Sequence, residues 1–590
     1  MIDPPLLERR FLWLTFLLLA VLGATQVASV LGESQTADEA VHLSAGYSYL
    51  KTGDFRVNYM HPPLGKYINA LPLLLIHPHL PRENPSWVSR DDYQFGKVFL
   101  YANTTPADRL LFYGRIPTII VTLCLGLVIA FWTRQQFDAP TALFALLLFS
   151  FDPNIIAHGR YITSDLIVTL AIFGASLVWF RYLVHRTRRT LLQAGVVLGV
   201  ALLTKASAII LFPIFLVLYV ICWWQEKETK SSLKQVAQAF VCCSAVAFVV
   251  VYAGYGFETR SALDNEAFAR RFQMTSEELR ADPHVSNLLR WLIDPATAAG
   301  RLSRAVVKDV PIPLASYISG AYWQADKNRQ GHDSYLLGEH SKKGWWYYFP
   351  IALAVKLPTG VILLLLFSLY LALRKIFALR WQGLAHQLRM APLKWYLLTI
   401  APALYFCASL TSNIDIGIRH ILPIFPFFYI CLSACLLGKR PRWNRATLAS
   451  IALVGGLVIF ESVYQYPYYL SFFNKLAGGS ARGPRFLIDS NIDWGQDLKH
   501  LRAYLIEHGD PEVCFSYFGH VDPAYYGIKS RDLTADAKAG GCNVAISVNS
   551  LYSDAGQYDW LKTRTPDARI GYSIYYYHLQ MLSPVTEKLP

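Results

Sequence analysis

Acids and bases gather in this chain beside apolar stretches. Asp38, Glu39, Asp152, Asp165 and Asp415 do so, as do Arg115, Arg160, Lys205, Lys356, Arg419, His61 and His420. An ionisable group in or near a membrane span is costly and marks a functional site by default. Cationic side chains at a bilayer surface suit a lipid phosphate. A carboxylate next to them can take the proton of a hydroxyl. Together these types point to group transfer from a phosphate-bearing lipid to a hydroxyl. The chain has no G-x-x-x-x-G-K-[ST] loop, so the energy for transfer would come with the substrate. It also has neither H-E-x-x-H nor G-x-S-x-G, which removes two hydrolase signatures.

Each of these residues also has a plainer role open to it. "QTADEAVHLSAGYSYLKTGD" reads as a helix ending at Gly53. There Thr36-x-x-Glu39 forms a capping box, and Asp38 suits the positive end of the helix dipole. Asp38 and His42 are four apart and share a helix face, so a divalent metal is one option and simple packing or hydrogen bonding another. In "NYMHPPLGKYINALPLLL", Pro62 and Pro63 begin a helix apolar enough for the interface, and Lys66 reads as a snorkelling residue. Asp165, with Ser164, caps the helix that follows. Asp415 and Arg419 are spaced for an ion pair along a helix. Lys205 stands nearly alone in a short turn, and Lys356 falls inside an apolar run.

The elements that must hold these groups are mostly membrane helices. The chain has 590 residues, 54% of them hydrophobic and 16% charged, with a net charge of +14. A soluble domain carries roughly 25% charge. That deficit excludes a disordered chain, a coiled coil and an ordinary cytosolic enzyme. A span needs about 20 apolar residues. Apolar runs at 11–31, 111–133, 140–157, 166–184, 191–204, 208–224, 236–255, 349–373, 395–411, 418–438 and 445–463 predict about eleven spans.

With the N-terminus cytoplasmic, the inner connections hold Arg9, Arg10, Arg134, Arg181, Arg186, Arg188, Arg189, Lys227, Lys230, Lys234, Arg374, Lys375, Arg380, Arg389, Lys394, Lys439, Arg440, Arg442 and Arg445. The short outer ones hold Arg160, Lys205 and Arg419. This is the positive-inside bias, so the basic residues report topology and not nucleic-acid binding. It depends on splitting 191–224 at Thr204-Lys205. Two outer loops, about 32–110 and 256–348, and the tail then face outward. The expected organisation is a transmembrane domain over 1–465 and an extracytoplasmic α/β domain over 466–590.

In the tail, "RFLID", "EVCFSYFG", "CNVAISVN" and "GYSIYYYH" read as strands and "QDLKHLRAYLIEHG" as a helix. Asp489, Asp493 and Asp497 read as a loop opening that helix. Seven cysteines lie in apolar runs, while Cys514 and Cys542 lie in the tail, where an oxidising compartment permits a disulfide.

"DEAVHLSAGYSYLKTGD", "HPPLGK", "AHGRYITSD", "PIPLASYISG", "YLLGEHSKKGWWYYFP", "VKLP" and "NIDIGIRHILP" occur in order from about 12 to 500. As a set they resemble membrane glycosyltransferases of the protein O-mannosyltransferase type (family 39-like), a group that includes the lipid A aminoarabinose transferases. The resemblance implies a polytopic α-helical protein of the C-type glycosyltransferase fold, multi-pass in a bacterial inner membrane. It implies inverting transfer of a sugar from a polyprenyl-phosphate donor to an acceptor hydroxyl at the outer face. Asp38 would then be the base or its orienter, Glu39 its support, and Asp165 a further acid of the same cavity. Arg419, with Lys205, Lys356, Arg115 and Arg160, would hold the leaving phosphate. His42, His61, Lys66, Asp415 and His420 would line the site. In the aminoarabinose transferases a Lys precedes the Pro-Pro pair, whereas here it is His61. "DSNIDWGQDL" resembles only bacterial members. The acceptor stays open among protein, lipid and polysaccharide, and a divalent metal is possible. Two readings compete: a lipid-linked sugar flippase or transporter, and a non-catalytic subunit of a surface-polysaccharide complex.

Overall fold

A computed structural model describes residues 4–225, 233–261, 269, 272–281, 287–309, 311–378, 381–438, 443–509, 511–534, 542–553 and 555–579. Of the basic loop residues, Lys227, Lys230, Arg380, Lys439, Arg440 and Arg442 lie outside them. The chain is mostly helical, with a small mixed sheet near its C-terminal end.

Helices form at all eleven apolar runs, but among the described residues eight are long and apolar enough to cross a membrane. The other three, Ala139–Ser150, Arg188–Leu202 and Leu393–Ser409, have 12, 15 and 17 residues. At about 1.5 Å per residue they fall short of a hydrocarbon core about 30 Å thick. Polar punctuation inside the apolar runs explains the shortfall. The first of the three stops at Phe151 because Asp152 caps the next turn, Pro153–His158, accepting from the Asn154 backbone N–H. The chain also breaks at Thr204-Lys205, ahead of the 3-10 turn Ala206–Ile210 and the helix Leu211–Gln225.

The run at 349–373 is two helices, Tyr348–Lys356 and Thr359–Ala378, parted at Pro358 with Leu357 extended. A residue before proline is pushed out of the helical region. Glu461 caps the second helix, accepting from the Thr359 N–H and hydroxyl, both at 2.6 Å. Lys356 therefore ends a helix and does not lie within a span.

The segment 32–110 folds onto the bundle through Glu39–Thr52, Leu64–Ala70 and Asp92–Tyr101. Gly46 makes this packing possible, since a β-carbon there would sit 2.2 Å from the Lys66 carbonyl oxygen. The helix Glu39–Thr52 ends as expected at Gly53, which has a φ of 67°.

In the tail, five strands lie in the spatial order Ser530–Asp532, Val513–Ser516, Asn543–Ser547, Ile574–Tyr577, Ala568–Ile570. The first three run parallel, and the other pairings are antiparallel. The helix Leu498–Glu507 packs its Leu498, Leu501 and Leu505 against the sheet. Cys514 and Cys542 are disulfide-bonded, with α-carbons 6.0 Å apart. "RFLID" is not a strand: Ser480–Arg485 is a 3-10 turn, and the Phe486 carbonyl accepts from the Leu337 N–H of the second loop at 3.0 Å. The segment between the last span and the sheet is built into the helical part. Asn474 donates to the Ala354 and Leu357 carbonyls at 2.7 and 2.8 Å.

Candidate active site

Asp38 stands at the N-cap of Glu39–Thr52, yet its carboxylate caps nothing. It turns instead to Arg419, whose Nη1 lies 3.3 Å from Asp38 Oδ2 across 381 residues of sequence. The same Nη1 is 3.7 Å from Asp165 Oδ2. Asp165 Oδ1 accepts from Lys205 Nζ at 2.7 Å. Four segments distant in sequence thus meet in one chain of alternating charge: Asp38, Arg419, Asp165, Lys205. Asp165 is 2% exposed, and the Asp38 side chain 28%. The inner acid is fixed while the outer one is open to an incoming group.

Local structure sets each member. Residues 414–417 precede the 3-10 helix Ile418–Ile424, so Arg419 sits in the first turn of a helix. Its guanidinium lies 4.2 Å over the Trp494 ring, and its Nε donates to Ser490 Oγ at 3.1 Å. Stacking and one fixed hydrogen bond hold the fork in place. The tail segment is clasped in turn to the residues before Asp38. The Ala37 N–H donates to the Trp494 carbonyl at 2.9 Å and the Ser34 N–H to the Gln496 carbonyl at 2.8 Å.

Glu39 points the other way. Its carboxylate takes Arg115 Nε at 2.7 Å and Nη2 at 2.6 Å, the Thr36 N–H at 2.9 Å and the Ile162 N–H at 3.1 Å. Only half of the expected capping box forms, since the Thr36 hydroxyl finds no partner.

Three expected phosphate cations are engaged internally, although Arg160 Nε has no partner. Arg115 is held by Glu39 and the Ser34 carbonyl. Arg160 is paired with Glu33 at 2.5 Å and with Ser29. Lys356 donates to the Leu470 and Asn491 carbonyls at 2.9 and 2.7 Å. Lys66 is 2% exposed and does not snorkel; its ammonium donates to the carbonyls of Asn58 and His61 and to the Tyr49 hydroxyl. Asp415 does not pair with Arg419. Its Oδ2 accepts from the Trp345 N–H at 2.8 Å, and burial pushes the carboxyl up to about 6.

The remaining site residues frame the cluster. His42 and His61 have ring centroids 5.7 Å apart. Burial brings His42 down to about 4 and holds His61 well below its ordinary value, so both rings are neutral near pH 7. His61 Nδ1 is 3.0 Å from the Gln324 amide. His420 lies within electrostatic reach of Lys205, Arg419 and Asp165. Among the described residues, no group of three or more His, Cys, Asp or Glu side chains gathers to hold a metal ion. Ser490 and Trp494, which hold Arg419, and Asp489, within electrostatic reach of it, lie at the cluster, although their types and spacing did not point to it. The fragment that carries them, "DSNIDWGQDL", was the available signal.

Residues 107–252 match the profile of the family described as dolichyl-phosphate-mannose-protein mannosyltransferase. The match covers the helices that carry Arg115 and Asp165 and the break that carries Lys205. No curated protein matches the sequence. Among solved structures, the chain is similar to ArnT from Cupriavidus metallidurans bound to undecaprenyl phosphate. That match has 12% identity and a TM-score of 0.44, and covers 95% of this chain and 97% of that one. It is also similar to the S. cerevisiae protein O-mannosyltransferase Pmt1-Pmt2 complex bound to the sugar donor (10% identity, TM-score 0.48, covering 79% and 90%). A third likeness is to the archaeal oligosaccharyltransferase AglB from Archaeoglobus fulgidus (13% identity, TM-score 0.42, covering 97% and 75%).

Proposed function

We propose that this chain is a C-type membrane glycosyltransferase that moves a sugar from a polyprenyl-phosphate donor to an acceptor hydroxyl at the outer face, with inversion. The observation that carries the reading is the ion pair of Arg419 with Asp38, made at the water-facing end of a buried charge chain. The donor phosphate takes Arg419 and Lys205, the two cluster cations not consumed by backbone carbonyls. Taking Arg419 loosens its hold on Asp38. Asp38 then accepts the acceptor's proton as the hydroxyl oxygen bonds to the anomeric carbon. The bond from that carbon to the phosphate oxygen breaks on the opposite face, and the lipid phosphate leaves with its electron pair. Fixed cations at the leaving oxygens stabilise this charge as it develops. Asp165 anchors Lys205 and Arg419, and Glu39 positions the helix that presents Asp38.

In this reading the N-terminus is cytoplasmic and the tail lies outside. The acceptor is a hydroxyl of a protein, lipid or polysaccharide. The test uses purified protein in nanodiscs with labelled polyprenyl-phosphate sugar and membranes holding the acceptor. Asp38→Asn keeps the fold and donor binding and loses transfer by at least about a hundred-fold, within the range for a general base. Full transfer by that variant refutes the reading.

A further inference from the structure

Arg419 faces three carboxylates, and the proposed chemistry uses one of them as a base. Asp165 Oδ2 accepts no hydrogen bond although the residue is 2% exposed. Asp489 is the third, within electrostatic reach of Arg419, Asp38 and His332. Its neighbour Ser490 lies on Arg419 Nε at 3.1 Å. Asp489 Oδ1 accepts from the Ser490 N–H at 2.5 Å. Among the described residues, no Lys, Arg or His comes within ion-pair distance of it.

The backbone at Asp489 is left-handed, with a φ of 58°. A side chain held in that region carries a local cost, and such residues collect at functional sites. Asn549, in the short helix Val548–Leu551 after the strand Asn543–Ser547, holds it there, its Oδ1 accepting the Asp489 N–H at 2.7 Å. Asn549 is fixed in turn by Asp493, donating from its side-chain amide to the Asp493 carbonyl at 2.9 Å.

These oxygens select by chemistry. A carboxylate oxygen only accepts, and so does a phosphate oxygen. A phosphate on Arg419 leaves Asp165 Oδ2 and Asp489 unsatisfied, whereas a hydroxyl beside it satisfies them. A ligand that is anionic at one group and hydroxyl-bearing at the next matches both halves. In a glycosyl phosphate the sugar is bonded directly to the phosphate, so its hydroxyls fall beside Arg419.

We propose that Asp489 and Asp165 Oδ2, which accepts no hydrogen bond, bind hydroxyl groups of the donor's sugar, so that the segment from Asp489 to Trp494 selects glycosylated lipid over bare lipid phosphate. This rests on the function proposed above. Charge adds to the selection: a glycosyl phosphodiester carries one negative charge and the bare phosphate up to two. Crowding Arg419 with carboxylates disfavours the second, which helps expel the product.

The test measures binding to the full chain in nanodiscs. The probes are bare undecaprenyl phosphate and undecaprenyl phosphate carrying a hexose, an N-acetylhexosamine or a pentose. The variants are Asp489→Asn and Asp489→Gly, both tolerant of the left-handed backbone. The wild type binds at least one glycosylated lipid about ten-fold or more tightly than the bare one, as expected for hydrogen bonds to a charged group. Both variants lose that preference, and their affinity for the bare lipid is unchanged or higher. A wild type that binds the bare lipid without preferring any glycosylated one overturns the inference and leaves the phosphate site standing. Equal weakening of both lipids, or no loss in the variants, overturns it too. A wild type that binds neither lipid removes the proposed function itself.

Discussion

Replacing Glu39 with Gln separates a structural acid from a chemical one. Glu39 is fully buried and accepts four hydrogen bonds, two from Arg115 and two from backbone N–H groups. Glutamine keeps one acceptor oxygen and points an NH2 group at donors that need an acceptor. At least two of the four bonds are lost, and each bond to a charged group is worth about 1.5–3 kcal/mol. Arg115, itself 3% exposed, loses its ion-pair partner. Breaking a buried pair from one side costs about 3–5 kcal/mol, which agrees with the bond count. Glu39→Gln is therefore expected to lower the unfolding midpoint sharply in nanodiscs. Transfer per folded molecule falls much less than in Asp38→Asn. Adding Arg115→Met removes the stranded charge and recovers part of the loss, a coupling that a double-mutant cycle reads directly. If Glu39→Gln unfolds like the wild type but is inactive, the reasoning is wrong and Glu39 takes part in the chemistry.

Three further outcomes follow from the geometry. Arg419→Lys keeps a charge between Asp38 and Asp165 but loses the fork and the stacking on Trp494. Donor affinity should fall about ten-fold or more by lipid titration, and unchanged affinity would remove Arg419 from the phosphate site. Cys514→Ser opens a link of 28 residues and should destabilise the tail by about 2–4 kcal/mol, seen as faster proteolysis of the tail under non-reducing conditions. Equal proteolysis in both forms would count against it. Burial lowers His42 in the folded chain to about 4 from an ordinary 6.5, so the unfolded chain takes up its proton first. That contribution to stability is complete above pH 6.5 and is lost as pH falls toward 4. His42→Gln should flatten the decline measured between pH 7 and 5, and an unchanged slope would discount it.

The helices were legible because apolar runs of this length leave few alternatives in a chain so poor in charge. Their ends were less so. Asp152, Pro358 and Glu461 each interrupt or cap a helix through a partner far away in sequence or at a bend, and a hydropathy window averages over them. Three of the four expected tail strands form, as does the expected helix, for a related reason: alternation survives in short buried strands such as Asn543–Ser547. "RFLID" has the same composition but no neighbour to pair with, because its backbone is spent on the second loop.

The site shows why residue type alone could not sort the acids and cations. Asp38 and Glu39 are adjacent, and successive positions on a helix turn by about 100°. One carboxylate therefore faces Arg419 and the other Arg115, and which faces which depends on where the helix begins. The cations divide by the same logic. Arg115 and Arg160 are neutralised by Glu39 and Glu33, and Glu33 gave no signal because it lies beyond the end of the first span, in no motif. Lys356 is consumed by carbonyls of a tail segment more than a hundred residues away. What remains is Arg419 and Lys205, paired with Asp38, which is partly open to water, and with Asp165, whose Oδ2 accepts no hydrogen bond. A cation whose partner can be displaced can take a phosphate, and one locked between a buried carboxylate and backbone carbonyls cannot. That difference lies in three-dimensional pairing, which explains why the set of charged residues was readable in the sequence while their division into scaffold and site was not.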